Sequence, residues 1–386
     1  MNAYGSTEQN TSAMTTMGVS ETILDDLNYE LWINELPIVG LILLYMVLGC
    51  TGNGLVIYIY TISMKTKKVN RFFIPYLACV DILSLLLNGS VHIVIAYQHL
   101  KFTNDVGCKF VHFFGYVLVI LSGILLIMIA YQRYVLVCKP FSRAFTTNKK
   151  RVTLASIVVC TLLISSPKFV FNGIMEIDTK YVNVTGRVCG INDESAGSFP
   201  LVIYNFVLLL TCLSCIATLS VLYTLVAKAI HARNKKLNRL RGSQRITERS
   251  ESSISTDNSD SRKASVVTTI SSRIQSITSS SNSDSKTKTI KLKRSGANSH
   301  FSWMFFTITM LCILTYAPRM TLDNMEAQDK NYQLSFSLQK RVLIAFLNSF
   351  YLFNSVVNPL VYGLFDKGFR GHLKHIVLKF RSSASV

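Results

Sequence analysis

Charge is almost absent from seven stretches of this 386-residue chain, around Pro37–Ile62, Phe72–Gln98, Val106–Val137, Val152–Phe171, Phe199–Ile230, Phe301–Leu322 and Val342–Phe365. A soluble core of this size does not need apolar runs of that length. A helix crosses a bilayer core of about 30 Å with roughly 20 mainly apolar residues, and every run meets that demand. Strict apolar–polar alternation over shorter segments is missing, which excludes a membrane barrel. Backbone amides in lipid must pair within their own segment, so the runs are predicted to be helices. Residues 1–36 contain no Lys or Arg but six acids, Glu8, Glu21, Asp25, Asp26, Glu30 and Glu35. They also lack the apolar centre of a secretory signal, so the first run is expected to act as its own uncleaved targeting signal. No metal-ligand spacing, nucleophile motif or phosphate-binding glycine loop occurs in a fitting context, which argues against an enzyme. No internal repeat relates the two halves of the chain, which argues against the competing class, a transporter or channel.

What is present is a chain 49% hydrophobic, with mean hydropathy +0.34 and a formal charge of +19. The location of that charge excludes its simplest reading, nucleic acid binding. Lys65, Lys67, Lys68 and Arg71 follow the first run, and Lys139, Arg143, Lys149, Lys150 and Arg151 separate the third from the fourth. The connection Lys228–His300 holds 16 Lys and Arg against five acids, and Lys367, Arg370, Lys374, Lys379 and Arg381 end the chain. Alternate loops are therefore basic, the pattern of a cytoplasmic side. The reading is a multi-pass plasma-membrane protein with its N-terminus extracellular and its C-terminus cytoplasmic.

Three organisational expectations follow. Residues 1–36 form an extracellular tail with little fixed structure, and residues 37–365 form the membrane bundle. Residues 234–299, crowded with Ser and Thr between basic residues, form a long disordered cytoplasmic loop. The basic ends of that loop suit anionic membrane lipid or a protein partner. Ser265, in Arg262-Lys263-Ala264-Ser265, matches a basophilic-kinase site, and Asn10 and Asn183 match glycosylation acceptors on the outer side. Of nine cysteines, only Cys108 and Cys189 face the oxidising compartment, which favours pairing over free thiols.

Ionisable residues inside a span are costly and point to function. Asp81 lies mid-way along the second run, with Asn53, Ser122, Asn354, Ser355 and Asn358 as polar candidates around it. A carboxylate among hydroxyl and amide oxygens suits a hard cation such as sodium. It equally suits a hydrogen-bonded knot that only locks helices together. Arg133 ends the third run in Tyr131-Gln132-Arg133-Tyr134, where an Arg can also simply snorkel to headgroups. Pro318 and Pro359 interrupt the sixth and seventh runs, and each is expected to kink its helix.

Gly52-Asn53-Gly54, Leu77-Ala78 with Asp81, Cys108 with Arg133 twenty-five residues later, Pro318, and Asn358-Pro359-Leu360-Val361-Tyr362 together resemble the signatures of rhodopsin-like G-protein-coupled receptors. Phe369-Arg370 resembles the start of that family's short amphipathic eighth helix. The resemblance covers about 37–380 and implies an all-α, seven-transmembrane bundle, with residues 366–386 as helix eight and a short tail. It implies a Cys108–Cys189 disulfide and a sodium pocket of Asp81, Ser122, Asn354 and Asn358. It also implies activation switches at Arg133, Tyr134, Tyr223, Tyr316, Pro318, Pro359 and Tyr362. The implied partners are an extracellular ligand, a heterotrimeric G protein, arrestin and receptor kinases, with no cofactor beyond a modulating sodium ion.

Departures from the family pattern are specific. Gln132 stands where an acid usually precedes the Arg, and Asn298 stands near where the sixth helix often offers another. Tyr316 replaces the usual Trp before Pro318, and Cys215 stands where the fifth helix usually has Pro. Gly115 occupies the place of the Asp in amine receptors, and no Lys lies between Val342 and Phe365 to carry retinal. By elimination the expected ligand is a peptide, with a small-molecule or lipid ligand as the alternative. Candidate contacts are Tyr116, Glu176, Tyr204 and Arg319. Arg319 could clamp a carboxylate or an amidated peptide end, or could pair with Asp323 instead.

Overall fold

The computed structural model describes residues 4–63, 71–139, 146–179, 181, 184–254, 296–328 and 337–383. Helix α1 spans Tyr4–Tyr58 and ends in a π-helical turn, Ile59–Ser63. Then come α2 (Phe73–Tyr97), α3 (Asp105–Cys138), α4 (Thr147–Ser165) and the single turn α5 (Lys168–Phe171). A hairpin of β1 (Asn172–Asp178) and β2 (Thr185–Ile191) leads to α6 (Phe199–Ile254) and α7 (Gly296–Gln328). Two shorter helices, α8 (Leu338–Ser349) and α9 (Phe353–Phe365), are joined by a 3₁₀ turn, Phe350–Leu352, and α10 (Lys367–Ser383) follows.

Among the described residues six helical spans are long and apolar enough to cross a membrane: Val19–Ser63, Phe73–Tyr97, Asp105–Cys138, Thr147–Phe171, Phe199–Lys236 and Gln339–Leu364. Helix α7, 33 residues long, carries the remaining apolar run. The faces of these helices are inverted relative to a soluble protein. Leu43, Leu44, Val47 and Leu48 of α1 and Ile203, Phe206, Val207, Leu210 and Leu213 of α6 lie exposed, while Asn53, Asp81, Ser122, Asn354 and Asn358 are buried. Apolar surface of that extent on a water-soluble monomer would be anomalous. Against lipid tails it is the expected outer face.

One expectation is not met here. Residues 1–36 were expected to be unstructured, yet α1 runs through them from Tyr4. Leu24, Leu27 and Leu31 form a stripe at helical spacing that packs on Leu100, Met175 and Ile177, an apolar face that the acids between those positions conceal in composition. The bundle itself is all-α, as expected, and one short hairpin lies between its helices. The β1–β2 hairpin pairs Ile174 with Cys189 in antiparallel register, and the Cys108–Cys189 disulfide, with Cα atoms 5.6 Å apart, fastens it to the first turn of α3. The Asp105 carboxylate accepts the Ile174 amide at 3.0 Å, and Asn104 caps α3 by accepting the Gly107 amide at 2.8 Å.

The chain divides into two units, Met1–Ala227 with His300–Val386 and Lys228–Ser299, of which the second is described only in part. Within it α6 stays helical as far as Ile254, well beyond the point, residue 234, at which the disordered loop was expected to begin. In the main unit α1 and α9 approach closely because Gly52 has no side chain: a Cβ there would lie 2.9 Å from the Pro359 Cβ. Asp366 caps α10 by accepting the Gly368 and Phe369 amides at 2.8 and 3.2 Å. It also accepts the Tyr60 hydroxyl at 2.8 Å and pairs with Arg71 at 2.9 Å, which ties α10 to α1.

Candidate functional site

Two polar systems lie inside the main unit, one above the other along the helices. The first surrounds a cavity of about 220 Å³ at the hairpin end. Its apolar wall comes from Ile38 and Ile42 of α1 and from Met175 and Ile177 of β1. Its polar lining comes from several helices, among them α3 with Tyr116 and α7 with Arg319 and Asp323. There the Tyr116 hydroxyl donates to Asp323, whose carboxylate also pairs with Arg319 one helical turn away at 2.8 Å. The Arg319 guanidinium donates further to Asn348 at 3.2 Å, and Asn205 donates to the Asp323 carbonyl at 3.2 Å. Arg319 therefore takes the second of its expected roles, pairing with Asp323, while still lining the cavity. Gly115 lines it too, and a Cβ there would meet the Asn88 Oδ1 at 2.4 Å. Asn88 thus fills the space that a side chain at 115 would need.

His99 lies between α2 and α3 at the rim of the cavity. Burial and the Arg341 guanidinium hold its imidazole down at about 4, so its 3.5 Å approach to Glu35 is made by a neutral ring.

The second system centres on Asp81. Ser122 and Ser355 donate to its Oδ1, each at 3.1 Å, and Asn358 donates to its Oδ2 at 2.8 Å. Asn53 donates to the Ser355 carbonyl at 2.8 Å, which holds α1 to α9. Of the residues expected around Asp81, Asn354 makes its hydrogen bonds elsewhere. Asn354 turns from Asp81, accepts the Cys312 thiol at 3.1 Å and donates to the Tyr316 hydroxyl at 3.4 Å. A helix presents positions 354, 355 and 358 within one turn or so, and spacing alone did not distinguish Ser355 from Asn354. Tyr316 also lines the cavity and stacks on Tyr351 with ring centroids 6.3 Å apart. Through Asn354, the chain neighbour of Ser355, it stands between the cavity and the Asp81 system.

The family described as 7 transmembrane receptor (rhodopsin family) matches residues 52–362. The chain belongs to the rhodopsin family of seven-transmembrane receptors. It is 26% identical over 198 residues to the trissin receptor of Drosophila melanogaster, covering 49% of this chain and 29% of that protein. It is 29% identical over 125 residues to a Gq-coupled rhodopsin of Mizuhopecten yessoensis, covering 32% and 25%. With the neuropeptide Y receptor type 5 of Sus scrofa it shares 26% identity over 209 residues, covering 54% and 45%. The matched stretches thus span less than half the length of these relatives. The family is one of membrane-spanning receptors, not of enzymes.

Within that rhodopsin-family frame the remaining expected residues fall into place unevenly. Tyr223 and Tyr362 are buried in one apolar cluster at the end opposite the hairpin, and the Tyr362 ring meets Tyr60 edge-on at 6.1 Å. Arg133 and Tyr134 are half-buried near the end of α3, with the Lys139 ammonium 5.7 Å from the Tyr134 ring centroid. Pro318 and Pro359 lie inside α7 and α9. Tyr204 donates to the Ile164 carbonyl at 3.0 Å. Strand alternation turns Met175 and Ile177 inward, so the ligand-contact candidate Glu176 lies exposed, 3.8 Å from Arg187, and does not line the cavity. Asn183 and Ser265 lie outside the described residues, as does the side chain of Asn10.

Lys168 was missed by the sequence reading. It is buried, with its ammonium 4.0 Å from the Tyr116 ring centroid and 5.5 Å from that of Tyr204. A charge inside the fourth apolar run was the available signal.

Proposed function

We propose that this chain is a cell-surface receptor that binds an extracellular peptide at the hairpin end and activates heterotrimeric G proteins by outward movement of α7 at the other. The single observation that carries the reading is Tyr316, which lines the cavity and bonds to Asn354 beside the Asp81 system. A ligand that shifts Tyr316 or the Arg319–Asp323 pair shifts α7 directly, because all three side chains stand on that helix. Such a ligand moves the equilibrium only by its differential affinity for the two states. Trissin and neuropeptide Y receptors among the relatives support a peptide over an amine, and the missing retinal lysine argues against an opsin-like role.

The accompanying roles belong to the same proposal. The N-terminus faces outward and the basic loops face the cytoplasm, where arrestin, receptor kinases and anionic lipid would meet them. Asp81, with Ser122, Ser355 and Asn358, would hold a sodium ion that favours the resting state. Arg133, Tyr134, Tyr223 and Tyr362, with the kinks at Pro318 and Pro359, would rearrange on activation. The test is ligand-stimulated nucleotide exchange on co-expressed G proteins while a secreted-peptide library is screened. A hit is expected to lose potency when Tyr316 or Arg319 is replaced by Ala. Ligand-gated current or solute flux without exchange would overturn the reading.

A further inference from the structure

The charges around the cavity are not equally compensated. Asp323 is engaged by Arg319 and Tyr116, so that acid and that guanidinium neutralise one another. Lys168 is 4% exposed, and among the described residues no carboxylate lies within ion-pair distance of its ammonium. Its contacts are the faces of two tyrosine rings, which attract a cation but do not cancel its charge. Asp323 and Glu326 attract it from beyond ion-pair distance, so this buried ammonium has no close counter-charge, and an ionisable group inside a span points to a partner or a function. A second observation points the same way. His112, one helical turn before Tyr116 and lining the same cavity, has its buried Nε2 without a hydrogen-bond partner among the described residues. Tyr116 links the two, lining the cavity while its ring covers Lys168.

We infer that the ligand presents a carboxylate to this cavity, received by Lys168 as the charged anchor with Tyr116 and His112 as the adjoining polar surface. The inference rests on the receptor reading above and specifies which chemistry the cavity selects. Rotation of Tyr116 away from Asp323 would open the ammonium to the cavity, and would loosen the hold of α3 on α7 in the same movement. Binding of the anion and release of α7 then become one event.

The full chain in lipid nanodiscs, followed by thermal unfolding, tests this without knowledge of the natural ligand. The probes are N-acetylphenylalanine, its carboxamide, and the α-amide of N-acetylglutamate, all at millimolar concentration. The first offers a chain-terminal carboxylate, the second none, and the third a side-chain carboxylate. At least one carboxylate probe should raise the midpoint while the carboxamide does not, and the responding probe identifies the source. Lys168→Gln should weaken that response about tenfold or more, and Lys168→Arg should retain it. Without any probe, Lys168→Met should leave the midpoint unchanged or raise it. Equal responses to carboxylate and carboxamide, no response to any probe, or a full response in Lys168→Gln would each overturn the inference. So would a collapse of Lys168→Met, which would make the ammonium structural. None of these outcomes touches peptide-stimulated nucleotide exchange, on which the receptor reading stands separately.

Discussion

Asp81 and Asp323 are both buried aspartates on long apolar helices, yet their surroundings differ in kind. Asp81 is held by two hydroxyls and one amide, all neutral. Asp323 is held by a guanidinium and a phenol. Neutral donors solvate a carboxylate without cancelling any charge it carries, which is the setting the sodium proposal requires. The Asp323 site is already neutralised, and its carboxylate serves as a clasp between α3 and α7. On the proposed reading one acid accepts a cation, and the other holds α3 to α7 until it is displaced.

The largest expected effect breaks the upper half of this comparison altogether. The disulfide pins the hairpin that walls the cavity, and loss of such a bridge typically costs about 2–5 kcal/mol. Cys108→Ala and Cys189→Ala should each abolish surface expression or ligand binding, and the double variant should be no worse than either single one. Additive defects in a quantitative surface-expression assay would show that the two cysteines act separately.

Breaking the clasp alone should come next. Asp323→Ala leaves the Arg319 guanidinium without its acid, and removal of one partner from a buried pair costs about 3 kcal/mol or more. Arg319→Met with Asp323→Leu removes both charges and should unfold at a higher temperature than Asp323→Ala. If the double variant is the less stable, Asp323 is not a clasp and the contrast with Asp81 fails.

The sodium comparison is subtler, because it changes occupancy and not the fold. Millimolar sodium should weaken agonist binding at least about fivefold in the wild type, while Asp81→Asn should bind equally with and without it. Asp323→Asn should keep the sodium response. An identical sodium effect in wild type and Asp81→Asn would reduce the Asp81 system to a knot that only locks helices.

Apolar run length made the membrane helices legible in the sequence, because lipid leaves few alternatives for such runs. The contents of the Asp81 system were legible as residue types, but not its membership. Asn354 and Ser355 are chain neighbours, and side-chain direction on α9 selects the serine. Lys168 lies near the end of its apolar run, where a lysine can equally reach the membrane surface, so its burial was not legible. The helical stripe Leu24, Leu27 and Leu31 was hidden because acids between its members made residues 1–36 read as a solvated tail. In each case the missing information was which face a residue shares, and that face is set by packing partners far away in the chain.

The smallest expected effect concerns the opposite end of the bundle and tests whether the logic of the clasp applies there. At the hairpin end a guanidinium beside an acid joins two elements. At the other end Arg133 is preceded by Gln132, a neutral residue. A charge-assisted hydrogen bond is roughly twice as strong as a neutral one, so Gln132→Glu should restrain Arg133 more firmly than the native amide does. Exposed and boundary ion pairs contribute about 0.2–1 kcal/mol, which corresponds to at most about a fivefold change in population. If the resting state is the one strengthened, ligand-free nucleotide exchange should fall by up to that factor at matched surface expression. Gln132→Met, which can neither donate nor accept well, should raise it. The pair of substitutions separates charge from packing, since Glu, Gln and Met are close in size. Equal basal exchange in all three proteins would mean that contacts other than position 132 set the resting state, and that the clasp at Asp323 has no counterpart at Arg133.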